Sequence, residues 1–219
     1  MDITPTRLEE FVFEDDATLE VLRNVVSNDN LLPATRVGVL LYGGYGTGKT
    51  TLARLLPNLI ERTRTGISDV EAMSDFVECA SVNGQDAIKR IQHQSRFVAL
   101  SHTRIHFFIF DEFDVLTEKA QANFKSIMTN TPDCVFVITT NHLHAVDQGV
   151  QDRCWCISMN AASNDRWLPA ARQILKKLGV KDVQDDAVLE LLSASSTKSA
   201  REVVSSLQLM AALRSQKAA

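Results

Sequence analysis

The sequence predicts an α/β protein, a doubly wound parallel sheet of five strands followed by a small helical domain. Three observations carry this prediction. Apolar runs of strand length show almost no polar alternation, as strands buried on both faces do. Helical patterns separate those runs, which implies βαβ units. After about residue 160 the strand-like runs stop and only helical patterns follow.

The strands are expected at VGVLLY (37–42), IHFFIF (105–110), CVFVIT (134–139) and CWCISM (154–159), with DFVECA (75–80) a weaker fifth. Helices are expected over 49–62, 84–95 and 118–129. The tail reads as three helices, 163–178, 184–194 and 198–215. A domain boundary near 160–164 divides the chain into residues 1–160 and 161–219. The sequence has 219 residues, 45% of them apolar, enough for a sizeable core. Its net charge of −4 argues against a general nucleic-acid coat, though not against a local basic channel. Four cysteines do not make a secreted disulfide framework. The opening MDITPTRLEE lacks a signal pattern and no apolar run reaches membrane-spanning length. A soluble cytoplasmic protein, with no membrane partner, is expected.

Gly43 to Thr50 reads GGYGTGKT, between an expected strand and an expected helix. This is the spacing of a phosphate-binding loop. Gly43, Gly44, Gly46 and Gly48 let the backbone wrap a polyphosphate, with Tyr45, Thr47 and Thr51 completing the cradle. The helix start adds its positive dipole end. Lys49 is expected at the β- and γ-phosphates of ATP, and the Thr50 hydroxyl on Mg²⁺. Asp111 and Glu112 follow a strand, where open α/β sheets bind ligands. Asp111 is expected to hold the Mg²⁺ shell and Glu112 to polarise the attacking water. Asn141 ends another strand and can touch the γ-phosphate or align that water without adding repulsive charge. Asp114 reads only as a helix-start acid.

The loop GGYGTGKT, the run FFIFDE, the segment TTN and the helical tail together resemble an AAA+ ATPase. The stretch LTEKAQANFKSIMTNTPDCVFVITTN (116–141) and the opening TPTRLEEFVF (4–13) are similar to clamp-loader ATPases, the small subunits of replication factor C and their phage counterparts. The resemblance covers nearly the whole chain and implies a P-loop AAA+ core with a helical lid. It also assigns a role within GVQDRCWC (149–156): Asp152-Arg153-Cys154 stands where clamp loaders carry Ser-Arg-Cys. Arg153 is thereby implied to be an arginine finger acting on a neighbour's site. Asp152 departs from the family serine, and its role is open between trans acid, helix cap and local partner of Arg153.

Arg201, in STKSAREVVSSLQ, matches the lid arginine that senses the γ-phosphate and couples nucleotide state to a hinge. Lys89, Arg90 and Lys125 lie on helices that track a DNA backbone in clamp loaders. The resemblance also implies a polar residue after the second strand that restrains the catalytic acid, here either Ser81 or Asn83. Cys154 and Cys156 are expected on opposite faces of a strand, a poor geometry for a shared metal or disulfide.

The resemblance implies an oligomeric, DNA-associated ATPase that self-associates into a ring or spiral and works with a sliding clamp or adaptor. Clamp-loader subunits continue into a collar domain that this sequence does not reach: either assembly depends on ATP and the first two domains alone, or the sequence is a truncation. A stand-alone form is expected to work in phage or mobile-element replication or as a transposition-type DNA-bound ATPase. A protein-remodelling ATPase would place an aromatic pore loop where this chain reads SVNGQDAIKRIQHQ, polar and basic. A non-hydrolysing adaptor would not need Glu112, Asn141 and Arg153 together.

Overall fold

The computed structural model describes residues 3–81, 84–95, 97–131, 133–180, 183–195 and 197–217. Helix α1 (Asp16–Ser27) precedes strand β1 (Gly38–Tyr42) and helix α2 (Lys49–Thr65). Then come β2 (Ser74–Glu78), α3 (Gly84–Gln94), β3 (His106–Asp111), α4 (Glu118–Asn130) and β4 (Cys134–Thr140). A short α5 (Gln148–Gln151) leads into β5 (Cys154–Ser158). Three helices close the chain: α6 (Asn164–Lys177), α7 (Asp185–Ala194) and α8 (Ala200–Lys217). All five expected strands are present, with no end shifted by more than two residues. Helix α2 runs three residues further than expected, to Thr65. Helices α1 and α5 have no counterpart among the expected elements.

The strands form one parallel sheet in the order β2-β3-β4-β1-β5. Sequence neighbours β1 and β2 are therefore separated by two inserted strands. The carboxyl ends of β3, β4 and β1 come to lie side by side. That is the point where such a sheet opens a ligand crevice.

Two compact units divide the chain: residues 20–43 with 49–158, and residues 1–19, 44–48 and 159–219. In the first, every β4 residue is buried, in keeping with its unbroken apolar run. Phe124 of α4 packs its ring edge against Phe110 at 4.7 Å and Phe136 at 5.3 Å, a preferred aromatic geometry. The end of α1 is sealed by Arg64 of α2, which donates to the carbonyls of Val25 and Val26. Trp155 of β5 donates its indole N–H to Leu31 O, fixing the chain that leads into β1.

The second unit has its own core, in which Trp167, Ala171 and Leu175 of α6 meet Val188 and Leu192 of α7 and Val203 and Leu207 of α8. The amino-terminal segment joins it. Arg166 pairs with Asp16, and Lys177 with Glu10 at 3.0 Å. Among the described residues no helix is long and apolar enough to cross a membrane.

Candidate active site

The phosphate-loop sequence connects β1 to α2, as its spacing requires. Gly46 has φ +70, and a Cβ there would come within 3.2 Å of Ser199 Oγ, so only glycine fits without strain. The Thr47 hydroxyl donates to Gly44 O. The Gly46 carbonyl accepts a 3.0 Å bond from the N–H of Arg201. Arg201 is the second residue of α8, so this bond satisfies one of that helix's orphan amides. Ser199 caps the next turn by accepting from Glu202 N. The Arg201 side chain itself is exposed.

Lys49 opens α2, and its buried ammonium donates to Gly43 O at 2.9 Å. Thr51 is half-buried one residue past Thr50. The Thr50 hydroxyl donates to Asp111 Oδ1 at 2.8 Å. The structure thus brings together a hydroxyl and a carboxylate from two elements 61 residues apart. Both are hard oxygen donors, the ligand type Mg²⁺ selects. The donor set fits the ion.

Glu112 is exposed and sits in the left-handed region at φ 57, ψ 50. A non-glycine residue there is uncommon, and such strain concentrates at functional sites. The backbone turns sharply after β3, so Asp111 and Glu112 cannot continue as a strand pair. Glu112 N–H donates to Thr139 Oγ1 at 3.0 Å. That same hydroxyl donates to Asp111 Oδ1 at 2.5 Å. Thr139 is not among the expected site residues. Its one signal is a hydroxyl closing an apolar strand.

Asn141 follows β4 directly and is half-buried. Asp114 lies in the first turn of a short 3-10 helix (Phe113–Val115), as expected, but that is not its only role: its Oδ2 lies 2.7 Å from His142 Nδ1. Burial opposes ionisation of Asp114, but the bonds from His142, its own backbone and Thr140 outweigh it and hold the carboxyl below its ordinary range. The amide of Gln121 makes a second link, donating to Leu116 O and Ala145 O and accepting from Asp147 N. The loops after β3 and β4 are therefore joined twice.

Arg153 stands immediately before β5, whose first residue Cys154 pairs with Gly38 at the start of β1. It lies at the amino end of the sheet, whereas Gly43, Asp111 and Asn141 follow the carboxyl ends. At about 3.3 Å per residue, one strand puts roughly 16 Å between those levels. Its guanidinium donates to Gly149 O at 2.7 Å and Thr129 Oγ1 at 3.1 Å. Asp152 accepts from Gln148 at 3.1 Å.

Lys125 pairs with Asp147, the N-cap of α5, at 3.1 Å. Its stem also covers Gly149, where a Cβ would meet Lys125 Cδ at 2.4 Å. Arg90 pairs with Asp75 at 2.6 Å, and Lys89 is exposed on α3. Ser81 is exposed, and Asn83 lies outside the described residues. Cys154 is buried and Cys156 exposed. The expectation that they take opposite faces is corrected: two residues apart on β5, they lie on one face of the strand, and β5 is the edge of the sheet. Cys79 is buried beside the site, and burial together with Asp111, Asp114 and Glu112 pushes its thiol up to about 12. Among the described residues no cluster of three His, Cys, Asp or Glu side chains could hold a metal.

No curated protein matches the chain in sequence. Solved structures do match in shape. RuvB, the Holliday junction branch migration motor of Thermotoga maritima, has a TM-score of 0.73 at 15% identity, over 98% of this chain and 67% of its own. A point mutant of the same protein scores 0.75 at 15% identity, over 98% and 68%. PCH-2 of C. elegans scores 0.59 at 16% identity, over 94% and 70%. Identities this low show a shared fold. A family model covers more than half of the chain, residues 39–158, from β1 to the end of β5. The chain belongs to the AAA family, the ATPase family associated with various cellular activities.

Proposed function

We propose that this AAA ATPase is an oligomeric, DNA-associated switch of clamp-loader-like type, in which each copy completes its neighbour's site. The nucleotide-binding core is read over residues 1–160 and the lid over residues 161–219, with residues 1–19 and 44–48 belonging to the same compact unit as the lid. Lys49 faces the β- and γ-phosphates of ATP, with the loop from Gly43 to Thr51 around them. Thr50 and Asp111 hold Mg²⁺, which when bound neutralises charge on the phosphate oxygens. Glu112 accepts the proton of the attacking water and Asn141 aligns that water. Arg201 reports the γ-phosphate to the lid.

The observation that carries this reading is the position of Arg153. It lies at the opposite end of its own sheet from Lys49 and Asp111, so it cannot serve the nucleotide of its own copy. An arginine there suits a site presented by a second copy, where a planar cation stabilises charge developing on the γ-phosphoryl group. The DNA role rests on the resemblance of residues 116–141 and on the shared fold with a branch migration motor. Arg90 and Lys125 are engaged by Asp75 and Asp147, so a DNA backbone would compete with those ion pairs. Transposition-type regulators share the DNA-bound form of this reading, and the partner, whether sliding clamp or adaptor, follows from the same resemblance.

The test is the mass in solution of Glu112→Gln with ATP, with and without primed duplex DNA, beside Arg153→Ala. A ring-sized species that forms with ATP, gains stability with DNA and weakens without Arg153 is expected. A monomer indifferent to ATP and DNA would overturn the proposal.

A further inference from the structure

We infer that Thr139 is a positioning residue that sets the Mg²⁺ response of the site, by holding both acidic residues after β3 through one hydroxyl. This rests on the reading of Asp111 and Glu112 given above. A hydroxyl has one proton to donate and lone pairs to accept with. Here the proton goes to Asp111 Oδ1 at 2.5 Å, and the oxygen accepts the Glu112 N–H at 3.0 Å. Thr139 is only 2% exposed, so water does not replace either bond. Each bond reinforces the other. Donating to a carboxylate makes the oxygen a better acceptor, and the accepted amide favours donation in return.

The consequences fall on two different groups. Asp111 Oδ1 is also the acceptor of the Thr50 hydroxyl, so Thr139 and Thr50 hold the carboxylate from opposite partners. Thr50 and Asp111 would hold Mg²⁺, and with the Thr50 hydroxyl engaged as a ligand, Thr139 would remain the group that orients the carboxylate. Residues that orient a metal's ligands tune its affinity. Glu112 depends on Thr139 differently, because the accepted N–H helps to keep its backbone at φ 57. The strained turn that separates the directions of two adjacent acids is thus tied to the neighbouring strand.

Thr139→Val removes the hydroxyl and keeps the branched shape, and Thr139→Ser keeps the hydroxyl. The experiment measures binding of a fluorescent ATP analogue as Mg²⁺ is titrated, together with kcat and thermal unfolding. We expect Thr139→Val to raise the Mg²⁺ concentration for half-maximal tight binding by about tenfold or more. Binding without Mg²⁺ should change little, kcat should fall, and Thr139→Ser should restore the parent response. A purely structural hydroxyl would shift the unfolding temperature and leave the Mg²⁺ midpoint in place, and that result overturns the inference. If Thr139→Val does not fold, Thr139→Ala carries the same comparison. A parent protein whose nucleotide binding ignores Mg²⁺ would instead sink the ATPase reading of the site itself.

Discussion

His142 Nδ1 and Asp114 Oδ2 stand 2.7 Å apart, although 28 residues separate them in sequence. The pair spans the two loops that present Glu112 and Asn141. His142 is further fixed by its own N–H, which donates to Thr140 Oγ1. Asp114→Asn is therefore expected to destabilise the protein by about 1 kcal/mol. The effect depends on pH. The folded-state carboxyl is held below its ordinary range, so its contribution is present above that range and disappears as pH falls through the folded value. Urea unfolding at neutral pH and at pH about 3 should show the difference between parent and variant shrink in acid.

Lys49→Ala should weaken ATP binding by about 10- to 100-fold, the loss of a charge-assisted contact to phosphate. Calorimetric titration with ATP measures it. An unchanged affinity would mean that the loop from Gly43 to Thr51 binds something other than a polyphosphate.

Arg153 yields a prediction that no single variant can test. Lys49→Ala keeps the arginine but loses its own site, and Arg153→Ala keeps the site but loses the arginine. Each alone should hydrolyse ATP at least about 1,000-fold more slowly than the parent assembly. An equimolar mixture should recover a substantial part of the activity. A mixture as inactive as its components would place Arg153 in a local structural role with Thr129 and Gly149.

Glu10 ties the amino-terminal segment to α6. The N–H of Thr6 bonds its carboxylate and, although burial opposes ionisation, Lys177 adds to the effect, so the carboxyl is held at about 2. Its contribution is complete above the ordinary carboxylate range and is lost as pH falls toward that value. Glu10→Gln should cost about 1–2 kcal/mol at neutral pH and much less near pH 2. Protease cleavage within residues 4–13, compared at pH 7 and pH 3, reports on the segment directly.

The sheet was legible because β1, β3 and β4 are unbroken apolar runs, which only a strand buried on both faces explains at that length. The strand order was not in those runs. It follows from βαβ crossovers whose path depends on packing around Phe110, Phe124 and Phe136. Helix α1 gave a weak signal, since its buried residues Leu22, Val25 and Val26 lie among charged and polar neighbours. Lys49, Thr50 and Asp111 were visible because their chemistry demands a fixed spacing or a strand end. Thr139 and the pair of Asp114 with His142 were not, since each works through a partner far away in sequence. Lys125 shows the opposite case: an exposed-helix lysine pattern suggested a DNA contact, and the fold gives it Asp147.

The bond from Arg201 N–H to Gly46 O is made by main-chain atoms alone. Any residue but proline supplies that N–H. Drift at position 201 can thus erase the guanidinium and still leave the last helix tethered to the phosphate loop. Such a descendant would inherit the mechanical linkage without the charge, and its loss of the arginine would be no sign that the linkage had decayed.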